Sequence, residues 1–590
     1  MNSSKCYNNT NITIKINSNT IVIQTYYLCT TIITYMAITK PVEKLWQLII
    51  TDRKDIYSIY FYAILSGLVQ LTVPIGVQAI IGFVMGASMV TSIYVLIFVV
   101  VLGVLCVGIM QINQMKIIEK IQQNIFARNA FLFAEKIPSF DLKKIDNYYL
   151  PEKVNVFFDT LNVQKGLNKI LLDIPAASIQ ILFGLILLAL YHPLFIVFGI
   201  LLVAILWVIL KLTSSKGLET SLAESKYKYK VVAWLQEMAR VIKSFKYSQG
   251  THLNLLKTDT NVINYITSRT SHFKVLLTQY RVLVFFKVAI TTAMLVVGTY
   301  LLLEQQLNIG EFIAAEIVIL TVINAVEKLI TSLDSVYDVI TGVEKLSTIG
   351  DSPTEISGAS NLLNTNGISI EMNNVSFGYN NANTVLHNIN MTIPANTTVV
   401  LSGTEGSGKT TFLQLLSGSY QDFEGSITVN NIPISNYTLA SLRSNTGLSL
   451  NMNDVFEGTV YENISLGRSH ITPQLIMDKA HELGIQNFTN NLPSGLDTVL
   501  DSGGKKMPSS MLKKVVLLRA LTNNPSLLLL EEPLQGLPTE QKQSVAKYLT
   551  QNPTKATIII VSNDPLLYNN CSLHYQIENG YATLINTNNK

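Results

Sequence analysis

The chain has little charge for its length: 14% of its 590 residues are Asp, Glu, Lys or Arg, and the formal net charge is only +4. Such a balance argues against a nucleic-acid partner, and no basic patch interleaved with aromatic residues is present to reverse that. Cysteine is scarce too. Cys6, Cys29, Cys106 and Cys571 lie far apart, so neither a zinc-ligand spacing nor a disulfide framework is supported. A signal peptide is not expected, because a basic first region and a small-residue cleavage site are both missing. What is plentiful is apolar sequence. With 48% hydrophobic residues and a mean hydropathy of +0.33, the chain is too apolar for an ordinary soluble enzyme of this size.

The apolar residues are unevenly placed. Runs long enough to cross a bilayer occur at Ile56 to Met85, Ser92 to Met110, Ile170 to Tyr191, Pro193 to Leu212, Leu283 to Leu303 and Phe312 to Ile330. They pair into three hairpins whose connecting loops, Gly86 to Thr91, Tyr191 to Pro193 and Glu304 to Glu311, contain no Lys or Arg. The segments Gln111 to Lys169 and Lys211 to Arg281 contain many, which places them in the cytoplasm and the bare loops outside. Their helical periodicity, as in VVAWLQEMARVIKSF, predicts helices that continue well below the membrane. In the last hairpin Lys287 and Glu327 are equally far from Leu307, so antiparallel helices rising about 1.5 Å per residue place them at one depth. Either they pair, or each is solvated separately near the inner interface.

The first residues are rich in Asn and Thr and are expected to lack a fixed fold; Ile21 to Ile38 is expected to be an interfacial segment or part of the tail rather than a seventh span. Turn-forming Gly350, Pro353 and Gly358 mark a linker near the end of the apolar half. Beyond it strands such as TTVVLSG, SLLLLEE and TIIIVSN alternate with helices, as in a largely parallel α/β sheet with ligands at its carboxyl edge.

The most specific motif is VVLSGTEGSGKTTFLQLL. Gly403 to Thr410 fill G-x-x-x-x-G-K-[ST] between an apolar strand and an apolar helix, the context of a phosphate-binding loop. Gly403, Thr404, Glu405, Gly406, Ser407, Gly408, Lys409, Thr410 and Thr411 would surround the phosphates of ATP, with Lys409 at the terminal ones and the Thr410 hydroxyl on Mg²⁺.

Three hairpins with deep cytoplasmic extensions followed by one such domain resemble a half-size ABC transporter of the exporter type, from about residue 45 to the end. Within that group the membrane portion resembles bacterial secretion-type exporters of the haemolysin class. The resemblance implies a multi-domain membrane protein: an all-α domain of six transmembrane helices with long cytoplasmic extensions, then an α/β P-loop NTPase nucleotide-binding domain. The expected boundaries are 1–50 for the tail, 51–345 for the transmembrane domain, 346–366 for the linker and 367–590 for the nucleotide-binding domain. It implies residence in a bacterial cytoplasmic (inner) membrane with the nucleotide-binding domain in the cytoplasm. Its implied partners are the lipid bilayer, a second half transporter in a homodimer or heterodimer, and a membrane-fusion protein. Segments near Asp146 to Glu152 and Lys230 to Glu237 would carry contacts between the domains.

By the same resemblance Tyr379 stacks on adenine, Glu532 is the catalytic carboxylate beside Lys409, and Glu531 stands where the family has its Mg²⁺-binding Asp. Other positions depart from the family. Asn451 replaces the glutamine that senses Mg²⁺, and Met507 to Met511 (MPSSM) replaces the LSGGQ signature. Pro508, Ser509 and Ser510 would thus face ATP bound to the other subunit. Pro538 replaces an aspartate and Asn563 the switch histidine. The implied function is an ATP-driven exporter of a peptide or protein, a lipid or a small amphiphile, with slow ATPase sites. The alternative is an ATP-binding, essentially non-hydrolysing partner subunit.

Overall fold

The computed structural model describes residues 41–86, 90–145, 150–248, 251–363, 366–380, 383–490 and 492–587. The proposed interfacial segment Ile21 to Ile38 and the rest of residues 1–40 lie outside them. The chain divides into two units, 1–138 with 148–352, and 139–147 with 353–590.

The first unit is helical. Six helices are long and apolar enough to cross a membrane: α1 (Arg53–Met85), α2 (Thr91–Ser139), α3 (Leu150–Tyr191), α4 (Leu194–Arg240), α5 (Leu253–Leu303) and α6 (Ile309–Gly350). At 47 and 51 residues, α4 and α5 outrun the 20 or so that a bilayer needs, so their basic ends extend beyond it. The start of α6 is set by a capping box: the Asn308 side chain accepts the Glu311 N–H at 2.8 Å, and Glu311 accepts the Asn308 N–H at 2.9 Å. One face of α6 is built from Ala314, Ala315, Val318, Val322 and Val326, all buried. Gly184 on α3 lets the two helices close up, since a Cβ there would stand 2.6 Å from Val322 Cγ2.

Two features differ from the sequence expectation. Residues Pro41–Thr51, assigned mostly to the tail, form a helix held by Lys44. Lys44 is buried and donates to Ser347 Oγ at 2.7 Å and Asp351 Oδ2 at 2.8 Å, near the end of α6. The helix α6 itself runs to Gly350, into the stretch expected to be linker, because Leu346 and Ile349 are still buried.

Lys287 and Glu327 do pair, with Nζ 2.5 Å from Oε2 and each side chain about one-third exposed, at 30% and 33%. The next residue, Lys328, pairs with Asp173 at 2.9 Å, inside a π-helical turn of α3 (Lys169–Asp173). Removing one charge of the first pair leaves the other with no counter-ion at membrane depth. Lys287→Met and Glu327→Gln are therefore each expected to lower membrane abundance severalfold, and exchanging the two residues is expected to restore most of it. Immunoblotting of membrane fractions checks this, and single variants as abundant as wild type would refute it.

The second unit contains two main sheets. An antiparallel one is formed by β1 (Ile370–Asn380), β2 (Asn383–Ile393), β4 (Glu424–Val429) and β5 (Ile432–Pro433), in the order β2-β1-β4-β5. The other runs β10-β9-β3-β8-β7-β6, from β3 (Thr398–Ser402), β6 (Thr446–Ser449), β7 (Leu527–Glu531), β8 (Thr557–Val561), β9 (Leu573–Glu578) and β10 (Tyr581–Thr587). All its neighbours are parallel except β9 and β10. Its central strands are apolar throughout, TVVL, LLLL and TIIIV, as a sheet covered on both faces requires.

The segment Ser139–Asn147, between α2 and α3, also belongs to this unit. Phe140 is buried and bridges to Thr354, while Lys143 reaches Asp422 at 2.8 Å and lies over the Phe377 ring. Of the first expected contact segment, 146–149 lie outside the described residues. Lys230 to Glu237 is part of α4.

Candidate nucleotide site

The carboxyl ends of three adjacent parallel strands, β3, β8 and β7, bring the chemistry together. After β3 comes the glycine-rich loop and then α7 (Lys409–Leu416). Gly403, Gly406 and Gly408 have φ of 149°, 77° and 99°, and a Cβ on Gly403 would stand 2.1 Å from the Ile577 carbonyl oxygen. Around Gly406, in contrast, nothing lies within 4 Å of where a Cβ would be, so the loop is open on that side. The Lys409 ammonium folds into the loop, donating to Gly403 O at 3.0 Å, Thr404 O at 2.5 Å and Ser407 Oγ at 3.3 Å. Burial pulls the Lys409 pKa down, and the charges of Glu532, Glu531 and Glu405 oppose it. Glu405 itself is exposed.

After β7 come Glu531 and Glu532. The Thr410 hydroxyl donates to Glu531 Oε1. The Glu532 carboxylate accepts a hydrogen bond from Ser562 Oγ at 2.9 Å, and Ser562 follows β8 directly. Glu532 has φ +43°. Most other non-glycine residues with positive φ here are asparagines, which tolerate that region; for a glutamate it costs on the order of 1–2 kcal/mol. The turn is held from both sides of one peptide: the Glu532 N–H donates to Val561 O at 2.8 Å, and the preceding carbonyl, Glu531 O, accepts from Lys513 Nζ at 2.6 Å.

Lys513 lies on α8 (Ser509–Leu521), the helix that follows the MPSSM start. Burial opposes its charge, and Glu531 and Glu532 favour it. Pro508 is the N-cap of this helix rather than its first residue; Ser509 is exposed at the start and Ser510 half-buried beside it. Ser562 and Lys513 were not singled out from sequence. Ser562 adjoins Asn563 in VSND, but Lys513 in MLKKVVLLRAL resembles an ordinary lysine whose stem covers an apolar helix.

Other expected site residues are differently engaged. Asn563 joins the Gly403 peptide twice, accepting its N–H at 3.0 Å and donating to its carbonyl at 3.1 Å. The Tyr379 hydroxyl is bonded to Thr411 Oγ1 at 2.8 Å and to Gln414 Oε1 at 3.2 Å, and the ring packs edge-on against Phe377 and Tyr420. Thr411 is buried under it. The Asn451 side chain caps its own turn by accepting the Asn453 N–H at 2.9 Å. Pro538 is the N-cap of the helix Thr539–Gln551.

Six apolar helices in one unit and, in the other, a phosphate loop beside paired carboxylates on a parallel sheet define a membrane-spanning portion joined in one chain to a candidate nucleotide-binding domain. Residues 386–535, which hold the phosphate loop and both carboxylates, match the family model described as ABC transporter. It is 28% identical over 276 residues, 46% of this chain and 48% of the relative, to an uncharacterized ABC transporter ATP-binding protein of Bacillus subtilis (strain 168). To an ATP-dependent lipid A-core flippase of Saccharophagus degradans it is 28% identical over 44% of this chain and 43% of that one. A multidrug efflux ATP-binding/permease protein of Mycobacterium tuberculosis is 30% identical over 36% of this chain and 18% of its own. The chain thus spans about half the length of the first two curated relatives. Among solved structures, a bacterial Atm1-family ABC exporter with ATP bound superposes with a TM-score of 0.79 at 18% identity, covering 90% of this chain and 94% of that one. That likeness shows the fold. The six long apolar helices and the matched domain describe a membrane-spanning portion followed by a nucleotide-binding domain.

Proposed function

We propose that the chain is an ATP-driven exporter subunit that binds Mg-ATP at Lys409, Thr410 and Glu531 and hydrolyses it slowly through Glu532. The observation that carries this is the grouping of the phosphate loop, the Thr410–Glu531 contact and the Ser562-held Glu532 on adjacent strand ends. A hydroxyl and a carboxylate oxygen in contact are the oxygen donors that Mg²⁺ takes, so Thr410 and Glu531 fit that ion; bound there with ATP, it would neutralise charge on the phosphate oxygens. Lys409 would leave its loop carbonyls for the terminal phosphates, and the loop N–H groups would hold the others. Glu532 would accept a hydrogen bond from the attacking water and orient it in line with the γ-phosphorus.

In this proposal two chains, identical or a pair of different half transporters, close face to face around ATP, and closure drives the membrane helices outward-facing. The relatives named for lipid A-core flipping and multidrug efflux favour a lipid or small amphiphile over a peptide as cargo. A membrane-fusion partner rests on the haemolysin-class resemblance alone. A non-hydrolysing partner subunit is favoured by a different observation: the oxygen and one of the two N–H groups of the Asn563 amide are spent on Gly403, and the amide, unlike a histidine, has no positive charge to offer the γ-phosphate.

Counting phosphate release decides between the two. Replacing one weak donor typically costs about 3 kcal/mol, roughly a hundredfold in rate, so restoring LSGGQ at 507–511 together with Asn563→His is expected to raise turnover at least about tenfold. Unchanged turnover in a folded, dimeric restored protein would count against a slow but competent site.

A further inference from the structure

We propose that Lys513 is a positioning residue for the paired carboxylates: it clamps the Glu531–Glu532 peptide and so sets the Mg²⁺ side of the ATP site. This rests on the proposed Mg-ATP site. Lys513 is 2% exposed, yet its ammonium ends on a single backbone oxygen, Glu531 O, at 2.6 Å. That oxygen belongs to the same peptide whose N–H is bonded to Val561 O at 2.8 Å. With both ends held, the peptide plane cannot rotate, and the residue after it stays in the left-handed conformation recorded by φ +43°.

Two side chains depend on that plane. Glu531 must keep its carboxylate against the Thr410 hydroxyl, and Glu532 must keep its own against Ser562 Oγ. A lysine that only packed its stem would have a solvated head; this head is inside. Because Lys513 stands one turn after Ser509, the clamp also joins the start of α8 to the end of β7 within one subunit. In a closed dimer the start of α8 would face the partner's nucleotide, so the seating of that helix would be linked to the carboxylates of its own site.

The test compares ATP affinity with and without Mg²⁺, by calorimetry on the full-length detergent-solubilised protein, for wild type, Lys513→Met, Lys513→Gln and Lys513→Arg. Lys513→Met is expected to leave Mg²⁺-free ATP binding within about twofold, because the phosphate loop is untouched, and to reduce the Mg²⁺-dependent gain in affinity roughly tenfold. Lys513→Gln and Lys513→Arg, which keep an N–H donor, are expected to recover part of that gain. Where Lys513→Met does not fold, the glutamine variant is compared with wild type, and an intermediate gain supports the clamp. An equal Mg²⁺-dependent gain in every folded variant overturns the proposal, as does a parallel loss of Mg²⁺-free and Mg²⁺-bound affinity. If wild type binds no ATP under either condition, the nucleotide site itself is refuted and the clamp with it; a wild-type gain that the variants share refutes only the clamp.

Discussion

Glu532→Gln is expected to lower phosphate release by at least about a hundredfold while ATP binding stays within about twofold. Glutamine keeps the length of the side chain and can still accept from Ser562, which donates to Glu532 at 2.9 Å in the native chain. It also tolerates φ +43° no better and no worse than glutamate, so the backbone turn is conserved. What would be lost, under the proposed role of Glu532, is the negative charge that draws the proton of the attacking water and aligns its lone pair. General-base assistance of this kind is worth typically a hundredfold to ten-thousandfold. Phosphate release and nucleotide affinity measured on the same preparation check the claim. Equal turnover in the variant would remove Glu532 from the mechanism, whereas turnover already absent in wild type, with binding intact, would favour the non-hydrolysing subunit.

Lys409→Ala is expected to weaken ATP binding by roughly a hundredfold, the equivalent of losing about 3 kcal/mol of charge-assisted hydrogen bonding to phosphate. The substitution acts on the ligand-free state too. Without the ammonium, the Gly403 and Thr404 carbonyls and Ser407 Oγ each lose one donor, at 3.0, 2.5 and 3.3 Å, leaving Gly403 O to Asn563 at 3.1 Å and Thr404 O to the long Ser407 N–H contact at 3.4 Å. Carbonyl oxygens left facing the loop interior would repel the phosphates that the loop is to receive. Photolabelling with an azido-nucleotide checks the outcome, and undiminished labelling would mean that the glycine-rich turn does not hold phosphate through Lys409.

Much of the fold could be read from the sequence because its strongest signals are long-range in composition and short-range in pattern. Each of the six apolar runs is long enough, by length and composition, to cross a bilayer. The parallel sheet announced itself through its buried all-apolar strands. What escaped were facts of tertiary placement. The helix Pro41–Thr51 is held by Lys44 reaching residues some three hundred positions away, and Phe140 to Lys143 packs with strands far along the chain. No local window contains such information.

The candidate site divides in the same way. Lys409 and Thr410 follow from the phosphate-loop motif, and Glu531 and Glu532 end a buried strand that the family resemblance assigns to the same site. Ser562 and Lys513 have no motif, and their importance comes from where a carbonyl and a carboxylate happen to point. Tyr379, Asn451 and Asn563 show the converse: alignment to a family pattern locates a position, but the hydrogen bonds of the substituted residue decide what it can still do.

The double attachment of Asn563 to the Gly403 peptide makes the order of any reversal matter. A histidine placed there alone gives up two hydrogen bonds, at 3.0 and 3.1 Å, that brace the first residue of the phosphate loop. In the proposed dimer its imidazole would gain a new partner only with ATP bound and the helix start of a second subunit closed over it. Introduced first, Asn563→His is expected to loosen the empty loop and bring no rate; introduced after the signature at 507–511 is restored, the same change is expected to help. The two steps are thus epistatic in sign, and a lineage that had once exchanged the histidine for the brace would find the direct way back obstructed.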